Sequence, residues 1–557
     1  MTGKRRIRGI ADEVLSVSML TVWIDNERIE VEPGSTVLDA ARRLGIDIPA
    51  LCHWPGRAPV TSCMACLVRV EDDERLVPSC SLPVRDGMHI QSEVAEVHDA
   101  RRTAIELLLS DHAGDCLAPC HRICPLHMNI PKMARQISEG DLRSAIQTVR
   151  EDIALPSILG RVCHHPCEGG CRRGPHDGAV TVQQMERYVA DEDFAAEPLY
   201  TPTRQPDTGK RVAVVGTGVA GLTAGYHLLR MGHSCGLYDK DGDIGGSLRS
   251  RYSQAELPCE VVDAEVDLMR RLGAAFFSGA RLGQNLSLGE LRADFDAVLL
   301  ATGQGSAALA KELGIASDER GIVVAPRTCA TEVEGVFAAG EAVRGECLLV
   351  RAAADGKLAA AVINRLFRGE ALAGAGKEFS SAMGRVAETE LSRIIEGQSQ
   401  AARVEWGTNQ SFISGVDLRT QATRCLHCDC RKADTCRLRH YAQEYQANPR
   451  KYRTQRRDFS QQDDHPFVLY EPGKCISCGR CVSLCSEAGG SLGLTHIGRG
   501  FDVRIGVPFA EPLQGALEET AEECVAACPT GALSRKQEGT SSCRKSILCR
   551  CNAAGAD

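Results

Sequence analysis

Cysteine placement constrains this chain more than any other feature. Among 557 residues there are 27 cysteines, and most of them fall into five groups at iron-ligand spacing. In their midst, starting at Lys210, runs KRVAVVGTGVAGLTAGYHLL, a dinucleotide-binding fingerprint. In a chain of this size, clustered cysteines in a reducing compartment are metal ligands or redox groups rather than disulfides. The layout reads as a series of iron–sulfur clusters around a flavin, and the compartment it implies is the cytoplasm.

Bulk properties set the remaining bounds. The chain is too long for one hydrophobic core and should divide into about three to five domains. A hydrophobic content of 43% lets each of them bury a core. The net charge of −8 argues against nucleic acid, and the basic run Lys4-Arg5-Arg6-Ile7-Arg8 is too short to reverse that. No stretch is long and apolar enough to span a membrane. Arg5-Arg6 does not read as a twin-arginine export signal, because Asp12, Glu13 and Asp25 interrupt the apolar segment such a signal needs.

Residues 18–98 read as a small first domain. Met19 to Val31 alternates apolar and polar residues across a turn at Asp25-Asn26, which predicts a hairpin, and Thr36 to Leu44 carries helical periodicity. Cys52-x10-Cys63-x2-Cys66-x13-Cys80 follows. Three thiolates on a loop and a fourth further on can hold two irons at tetrahedral sulfur sites, although the first gap is longer than in the plant ferredoxin run. A structural zinc site would use the same donors, but the hairpin, the helix and all four spacings agree with a cluster. The segment resembles the β-grasp [2Fe–2S] domain that opens the large iron–sulfur subunit of respiratory complex I, iron-only hydrogenases and NAD-linked formate dehydrogenases. That resemblance implies one [2Fe–2S] cluster on Cys52, Cys63, Cys66 and Cys80.

Residues 99–205 open with a short helix, Ala100 to Leu109, and carry His112-x3-Cys116-x3-Cys120-x3-Cys124-Pro125, then Cys163-x3-Cys167-x3-Cys171. Between them, Ile130 to Ile153 has the period of two short helices, which would bring the triplets face to face. From Cys120 to Tyr188, through CPLHMNIP, GRVCHHPCEGGC and GAVTVQQMERY, the chain resembles the N-terminal domain of the glutamate synthase small subunit. Dihydropyrimidine dehydrogenase and the large subunit of the ferredoxin-linked transhydrogenase share that helical domain, which carries two [4Fe–4S] clusters. By resemblance, Cys116, Cys120 and Cys171 share one cluster, and Cys124, Cys163 and Cys167 share the other with Glu186. The family has four cysteines before the Cys-Pro step, and this chain has three. His112 is either the missing ligand or a surface histidine in a helix-ending turn; LLLSDHAGDC itself resembles the histidine-ligated cluster segment of complex I.

Residues 206–370 contain the fingerprint. The apolar run Arg211 to Val215 meets Gly216-x-Gly218-x-x-Gly221 and then a helix, with Tyr238-Asp239 ending the next strand. The glycines permit a tight turn and close approach of a pyrophosphate to the helix N-terminus, while Asp239 can accept from ribose hydroxyls. DIGGSLR, with Gly245 and Gly246, FDAVLLATG from Phe295 and GVFAAGEAVRG, with Gly340 and Glu341, look like the remaining FAD motifs of the two-dinucleotide-binding superfamily. Glu341 stands where that superfamily has Asp, and the longer carboxylate is expected to hold the ribityl chain less directly. Only Gln304 to Glu334 separate the last two motifs, fewer residues than an NAD(P)H-binding βαβ domain needs. The literal G-x-G-x-x-A at Gly303, Gly305 and Ala308 lacks following strands and is set aside. Cys235, Cys259, Cys329 and Cys347 lie alone and read as core cysteines.

Residues 371–460 read as a linker and docking helix with Cys425-x2-Cys428-x-Cys430-x5-Cys436, a set that fits zinc or a further cluster equally well. Residues 461–540 contain Cys475-x2-Cys478-x2-Cys481-x3-Cys485 and Cys524-x3-Cys528-Pro529. This is the bacterial ferredoxin pattern, in which Cys475, Cys478, Cys481 and Cys528 hold one [4Fe–4S] cluster. A second cluster would need cysteines near Glu518 and Ala521, so Cys485 and Cys524 read as a thiol pair. HPFVLYEPGKCISCGRCVSLC and IGRGFDV resemble the complex I and iron-only hydrogenase ferredoxin domain. The tail, 541–557, holds Cys543, Cys549 and Cys551 in no recognisable pattern.

The expected architecture is therefore multidomain α/β and α+β. It comprises a β-grasp ferredoxin domain, a helical di-cluster domain, an FAD-binding Rossmann-like domain without an inserted NAD(P) domain, and a C-terminal bacterial-ferredoxin-like domain. The cofactors expected are FAD, one [2Fe–2S] and three [4Fe–4S] clusters, with a fourth or zinc at Cys425 to Cys436. Because FAD exchanges electrons in pairs and clusters singly, the chain reads as an electron-transfer oxidoreductase subunit whose substrate site lies on a partner. By resemblance that partner is an NADH-oxidising flavoprotein, a formate dehydrogenase or a hydrogenase, with ferredoxin as a further candidate. A self-contained NAD(P)H oxidoreductase and a non-catalytic zinc protein are the rival readings.

Overall fold

The computed structural model describes residues 18–536 apart from 72, 373–377, 397, 405–413, 454–455 and 490–491. The basic opening run and the tail cysteines Cys543, Cys549 and Cys551 lie outside the described residues. The chain forms two units, each discontinuous in sequence: unit 1 is Met1–Cys116, Phe379–Glu390 and Cys430–Asp557, and unit 2 is Leu117–Glu378 and Leu391–Asp429.

Unit 1 starts with a hairpin of β1 (Leu20–Ile24) and β2 (Glu27–Val31), closed by Asp25 and Asn26 at φ +49° and +71°. Two consecutive left-handed residues make the turn whose twist matches antiparallel strands, and Asn and Asp tolerate that conformation best. Helix α1 (Val37–Arg43) begins at a reciprocal cap in which the Thr36 hydroxyl accepts from the Asp39 N–H and the Asp39 carboxylate accepts from the Thr36 N–H. With β3 (Leu67–Val70), β4 (Asp73–Pro78) and β5 (Met88–Gln91) the sheet order is β2-β1-β5-β3-β4, and β1 and β5 run parallel. Val22, Ile24, Leu38, Val68 and Ile90 fill the space between sheet and helix. Helix α2 (Ala95–Leu109) follows, five residues longer at its start than the periodicity of Ala100 to Leu109 implies.

Unit 2 begins with helices. Asn129 and Asp141 cap α3 (Ile130–Glu139) and α4 (Leu142–Asp152), the pair expected between the cysteine triplets, and α5 (Pro156–Val162) and α6 (Val182–Ala195) pack against each other. Strand β6 (Arg211–Val215), helix α7 (Val219–Arg230) and strands β7 (Ser234–Tyr238), β8 (Ala275–Phe277), β9 (Ala297–Leu300) and β10 (Val336–Ala338) build an all-parallel sheet ordered β10-β9-β6-β7-β8. The central strands are buried apolar runs, as a parallel sheet covered on both faces requires. Helix α8 (Leu349–Phe367) packs on α7. Between β9 and β10 there is one short helix, Ser306–Glu312, and only isolated bridges such as Ser317 with Ile322.

The helical segment and the dinucleotide fold share one core, in which Ile146, Val149 and Ile158 meet Tyr226, Val262 and Val362. Across it the fully buried side chains of Arg150 and Glu265 pair at 2.8 Å, and Glu265 also accepts from the Ser157 N–H at 2.9 Å. The boundary expected at residue 205 therefore falls inside one unit.

On returning to unit 1 the chain forms α9 (Arg437–Glu444), β11 (Val468–Tyr470), α10 (Arg480–Ala488), β12 (Thr495–Ile497), β13 (Arg504–Gly506), α11 (Ala521–Ala527) and β14 (Leu533–Arg535). β11 pairs antiparallel with β14, and β12 with β13. Two buried arginines brace this end to the first domain. Arg101 donates to the Leu67 carbonyl and the Tyr445 hydroxyl, both at 2.9 Å. Arg480 donates to the carbonyls of Ala527 and Ala50 at 3.1 Å and to that of His53.

Candidate functional site

The first cysteine set lies in the loops of the β-grasp sheet. Cys52, Cys63, Cys66 and Cys80 are all buried, and their thiols pair tightly. A hydrogen bond from Cys63 holds Cys52 down to about 5, and one from Cys80 holds Cys66 down to about 7, while Cys63 and Cys80 are driven up by the same contacts. Four thiols this close shed protons readily to a cation placed among them.

Cys475, Cys478, Cys481 and Cys528 line an enclosed cavity with Tyr470, Ile505 and Thr530. Burial pushes Cys475 up to about 11 and Cys478 up to about 12, so this pocket stabilises thiolates only with a bound cation. Cys485 and Cys524 sit behind it with sulfurs 3.9 Å apart, a thiol pair as the spacing implies.

Unit 1 holds a further set that sequence spacing did not assemble. The Cys430 N–H donates to the Cys116 carbonyl at 3.2 Å, and the Ser381 N–H reaches the Cys116 sulfur at 3.4 Å. The Cys436 sulfur accepts from the Arg439 N–H at 3.4 Å. The Cys430 sulfur fills the space beside Gly531, 2.2 Å from where a Cβ there would sit. Cys116 lies among the charges that act on Cys436, together with Cys430. His112 Nε2 lies 3.3 Å from a Cβ position on Gly114, against the Lys474 stem. Burial and then Lys474 hold that imidazole neutral, down to about 4, which is the form that ligates metals. His112 is thus a half-buried group four residues before Cys116, packed beside Lys474.

In unit 2, Cys124, Cys163, Cys167 and Glu186 line a second enclosed cavity with Gln183 and Val350. Glu186 is 7% exposed, and its Oε1 has no hydrogen-bond partner among the described residues. Burial raises it to about 8. A buried, partnerless carboxylate oxygen aimed into a ring of thiols fits a metal ligand. Cys120 lies on the short helix Pro119–Ile123, which packs on the turn Pro166–Gly169 before Cys171, and Arg173 reaches the Arg424 carbonyl, next to Cys425, at 2.9 Å.

Cys116 falls in unit 1, where its carbonyl accepts from the Cys430 N–H, whereas Cys120 and Cys171 fall in unit 2. Of the run Cys425 to Cys436, the first two cysteines belong to unit 2 and the last two to unit 1. A loop of four cysteines is thus divided between two folds, which local spacing does not show. The signal available was the pair of gaps His112-x3-Cys116 and Cys430-x5-Cys436, separated by the whole of unit 2.

The dinucleotide groove opens at the carboxyl ends of β6 and β7 and is lined by Gly216, Thr217, Gly218, Asp239, Gly246, Arg251 and Glu341 among others. Gly216 has φ +104°, and a Cβ there would lie 2.2 Å from the Ala301 carbonyl oxygen; one on Gly221 would lie 1.9 Å from the Gly216 oxygen. Both positions therefore demand glycine, and α7 presents its first-turn N–H groups to the groove. Asp239 is buried and accepts from the Thr217 N–H at 2.8 Å, from the Thr217 hydroxyl and from the Asp241 N–H at 3.0 Å, while Thr217 Oγ1 accepts from the Gly245 N–H at 2.9 Å. Glu341 is held by both arms of Arg251, at 2.8 and 3.2 Å. Gly340, at φ +68°, caps the following turn. Cys235 and Cys329 are buried as expected of core cysteines, whereas Cys259 and Cys347 are only half-buried.

A Rossmann-like groove in unit 2 and buried thiol sets in each unit together define a class: mixed α/β, multidomain proteins that bind a dinucleotide and iron–sulfur clusters. Family models agree segment by segment. Residues 17–94 match a 2Fe-2S iron-sulfur cluster binding domain, and 94–197 match the 4Fe-4S cluster domain II of dihydropyrimidine dehydrogenase. Residues 214–275 match an NAD(P)-binding Rossmann-like domain, and 465–534 the ferredoxin-like domain of NADH-quinone oxidoreductase subunit 3. Among curated relatives, the chain is 34% identical over 254 residues to NADPH-Fe(3+) oxidoreductase subunit beta of Geobacter sulfurreducens, covering 44% of this chain and 36% of that one. It is 30% identical over 225 residues to the NADP(+)-dependent formate dehydrogenase subunit beta of Moorella thermoacetica, covering 37% and 31% respectively. Against the small chain of glutamate synthase [NADPH] from Mycobacterium tuberculosis the identity is 37% over 190 residues, covering 34% and 39%. The chain thus spans roughly a third of the length of these relatives. No described helix is long and apolar enough to cross a membrane.

Proposed function

We propose that this chain is an FAD and iron–sulfur electron-transfer subunit of a larger cytoplasmic oxidoreductase, relaying electrons between a partner subunit and a low-potential carrier. The observation that carries this reading is the union, within one core, of the dinucleotide groove and the cavity of Cys124, Cys163, Cys167 and Glu186. Glu341 lines the groove, and Val350 in the first turn of α8 lines the cavity. When bound, FAD exchanges electrons in pairs and each cluster exchanges one.

The chain's own residues supply position and charge. Gly216, Gly218, Gly221, Gly245 and Gly246 shape the pyrophosphate turn, and Asp239 sets its wall. Cys52, Cys63, Cys66 and Cys80 would hold a [2Fe–2S] cluster. [4Fe–4S] clusters would sit on Cys124, Cys163, Cys167 and Glu186, on Cys475, Cys478, Cys481 and Cys528, and on His112, Cys116, Cys430 and Cys436. The Arg480 braces to the carbonyls of His53 and Ala527 tie the first of these sets to the ferredoxin set within unit 1.

Hydride transfer from a nicotinamide needs a stacked pose that a dedicated dinucleotide fold holds. Between β9 and β10 the described residues provide one short helix and no such fold. The partner is therefore the site of substrate or nicotinamide oxidation, of the kind an NADH-oxidising flavoprotein, formate dehydrogenase or hydrogenase provides. Anaerobic stopped-flow absorbance on the purified chain tests this. NADH and NADPH should each leave the flavin oxidised, while dithionite or a reduced low-potential ferredoxin should bleach it. Rapid bleaching by either nucleotide without a partner would overturn the reading in favour of a self-contained reductase.

A further inference from the structure

We propose that Cys120, Cys171, Cys425 and Cys428 form a four-thiolate site for an additional [4Fe–4S] cluster, completed from the C-terminal end of unit 2. The inference rests on the reading of unit 2 as a cluster-bearing body, and goes beyond it in assigning the ligands of a site that no local spacing defines.

The chain brings these four together through braces that flank each ligand. The short helix Pro119–Ile123, which carries Cys120, packs on the turn Pro166–Gly169 just before Cys171. Ile123 Cδ1 lies only 2.2 Å from where a Cβ on Gly170 would be, so the approach is as close as the backbone allows. Two residues after Cys171, the fully buried Arg173 donates from Nη1 to the Arg424 carbonyl at 2.9 Å. Arg424, also fully buried, returns the contact: its Nη2 donates to the carbonyls of Asp177 and Gly178 at 2.9 and 2.8 Å. The residue before Cys425 is thereby stapled to the segment after Cys171. On the far side, Asp429, the residue after Cys428, takes both arms of Arg135 from α3, at 3.1 and 3.0 Å.

The Arg424 end of the Cys425 to Cys428 step is therefore fixed to the segment after Cys171, and the Asp429 end to α3, which packs on the short helix that carries Cys120. Arg173 and Arg424 share Asp177 as their carboxylate partner, and buried pairs of this kind are costly to break. Four crowded thiolates need a cationic centre. Cys120 precedes Cys124 by one helical turn, so a cluster here would neighbour the one proposed on Cys124, Cys163, Cys167 and Glu186.

The test uses the full chain purified anaerobically, with iron, zinc and acid-labile sulfide assays, EPR after dithionite reduction, and alkylation mapped by mass spectrometry. In Cys425→Ser or Cys428→Ser, the signal and iron of one [4Fe–4S] cluster should be lost with flavin retained. Cys120 and Cys171 should become alkylatable while Cys430 and Cys436 stay protected. Cys116→Ser should give the complement, exposing Cys430 and Cys436 alone. Graded iron chelation of the unmutated chain provides the same partition without a folding risk: Cys120, Cys171, Cys425 and Cys428 should become labelled as one group. Joint exposure of Cys425, Cys428, Cys430 and Cys436 would overturn the proposal, as would loss of zinc in place of iron. A parent chain with full iron but an unaffected Cys425→Ser variant defeats the ligand assignment alone. A parent without [4Fe–4S] iron defeats the underlying reading as well.

Discussion

Replacing Glu265 with Ala should uncouple the thermodynamic support of the helical cluster segment from that of the dinucleotide fold. Arg150 and Glu265 are both fully buried and pair at 2.8 Å, with the Ser157 N–H on the second carboxylate oxygen at 2.9 Å. Arg150 Nε and Nη2 have no hydrogen-bond partner among the described residues, so Glu265 is the carboxylate that neutralises the guanidinium at contact. Deleting one member of a buried pair leaves an uncompensated charge and costs about 3–5 kcal/mol. The orphaned Ser157 N–H belongs to the same loss, and adding its usual penalty separately would count it twice. At the urea sensitivity usual for domains, this should lower the midpoint by at least about 1 M. Flavin release and loss of the clusters of unit 2 should shift together, because the two segments share a core, while the [2Fe–2S] EPR signal of unit 1 should not move. Glu265→Gln should cost less because its oxygen can still accept from Ser157, and the double change Arg150→Met with Glu265→Met should recover most of the loss, since no buried charge remains. A single-variant loss under about 1 kcal/mol, or flavin release with unit 2 clusters unaffected, would show that this pair does not bind the two segments.

Other outcomes follow from single sites. Gly221→Ala places a methyl group 1.9 Å from the Gly216 carbonyl oxygen and should distort the pyrophosphate turn. Flavin retention measured by dialysis should fall at least about tenfold, about 1.4 kcal/mol, with iron unchanged. Cys63→Ser or Cys66→Ser should abolish the [2Fe–2S] EPR signal and leave flavin bound; loss of flavin would contradict the division into units. Glu390 is held down to about 2, chiefly by Arg456, whose arms reach it at 2.6 and 2.5 Å. Its folded value lies below its unfolded value, so its stabilisation is fully present above the unfolded pKa and is lost as pH falls through the folded one. The deficit of Glu390→Gln in denaturation of the metal-free chain should therefore be larger near neutral pH than at about pH 3, and a deficit independent of pH would refute the assignment. Total iron in the reconstituted chain should approach about eighteen atoms, the sum for one two-iron and four four-iron clusters.

Much of this protein was legible in its residues because the relevant physics is local. A cluster binding loop, a Gly-x-Gly-x-x-Gly turn and an Asp-Asn hairpin each act within a few residues, so Cys52 to Cys80, Gly216 to Gly221, Asp25-Asn26 and the capped helix after Thr36 stand where their spacing places them. The short β9 to β10 connection likewise followed from counting residues. Glu186 was found only through resemblance. Its orphaned oxygen is visible only once α6 is folded against the Cys163 turn.

What the tertiary structure alone decided is partnership across distance. Nothing in the run Cys425 to Cys436 says that its first two thiols join unit 2 and its last two join unit 1. That division depends on the buried Arg173 and Arg424 braces and on the return of the chain beside Cys116. The joining of the helical segment to the dinucleotide fold is of the same kind, since Arg150 and Glu265 are more than a hundred residues apart. Sequence determined which residues can bind metal or nucleotide, because side-chain chemistry and short-range geometry travel with the residue. Folding determined which of them meet, because burial and long-range hydrogen bonds exist only in the assembled core.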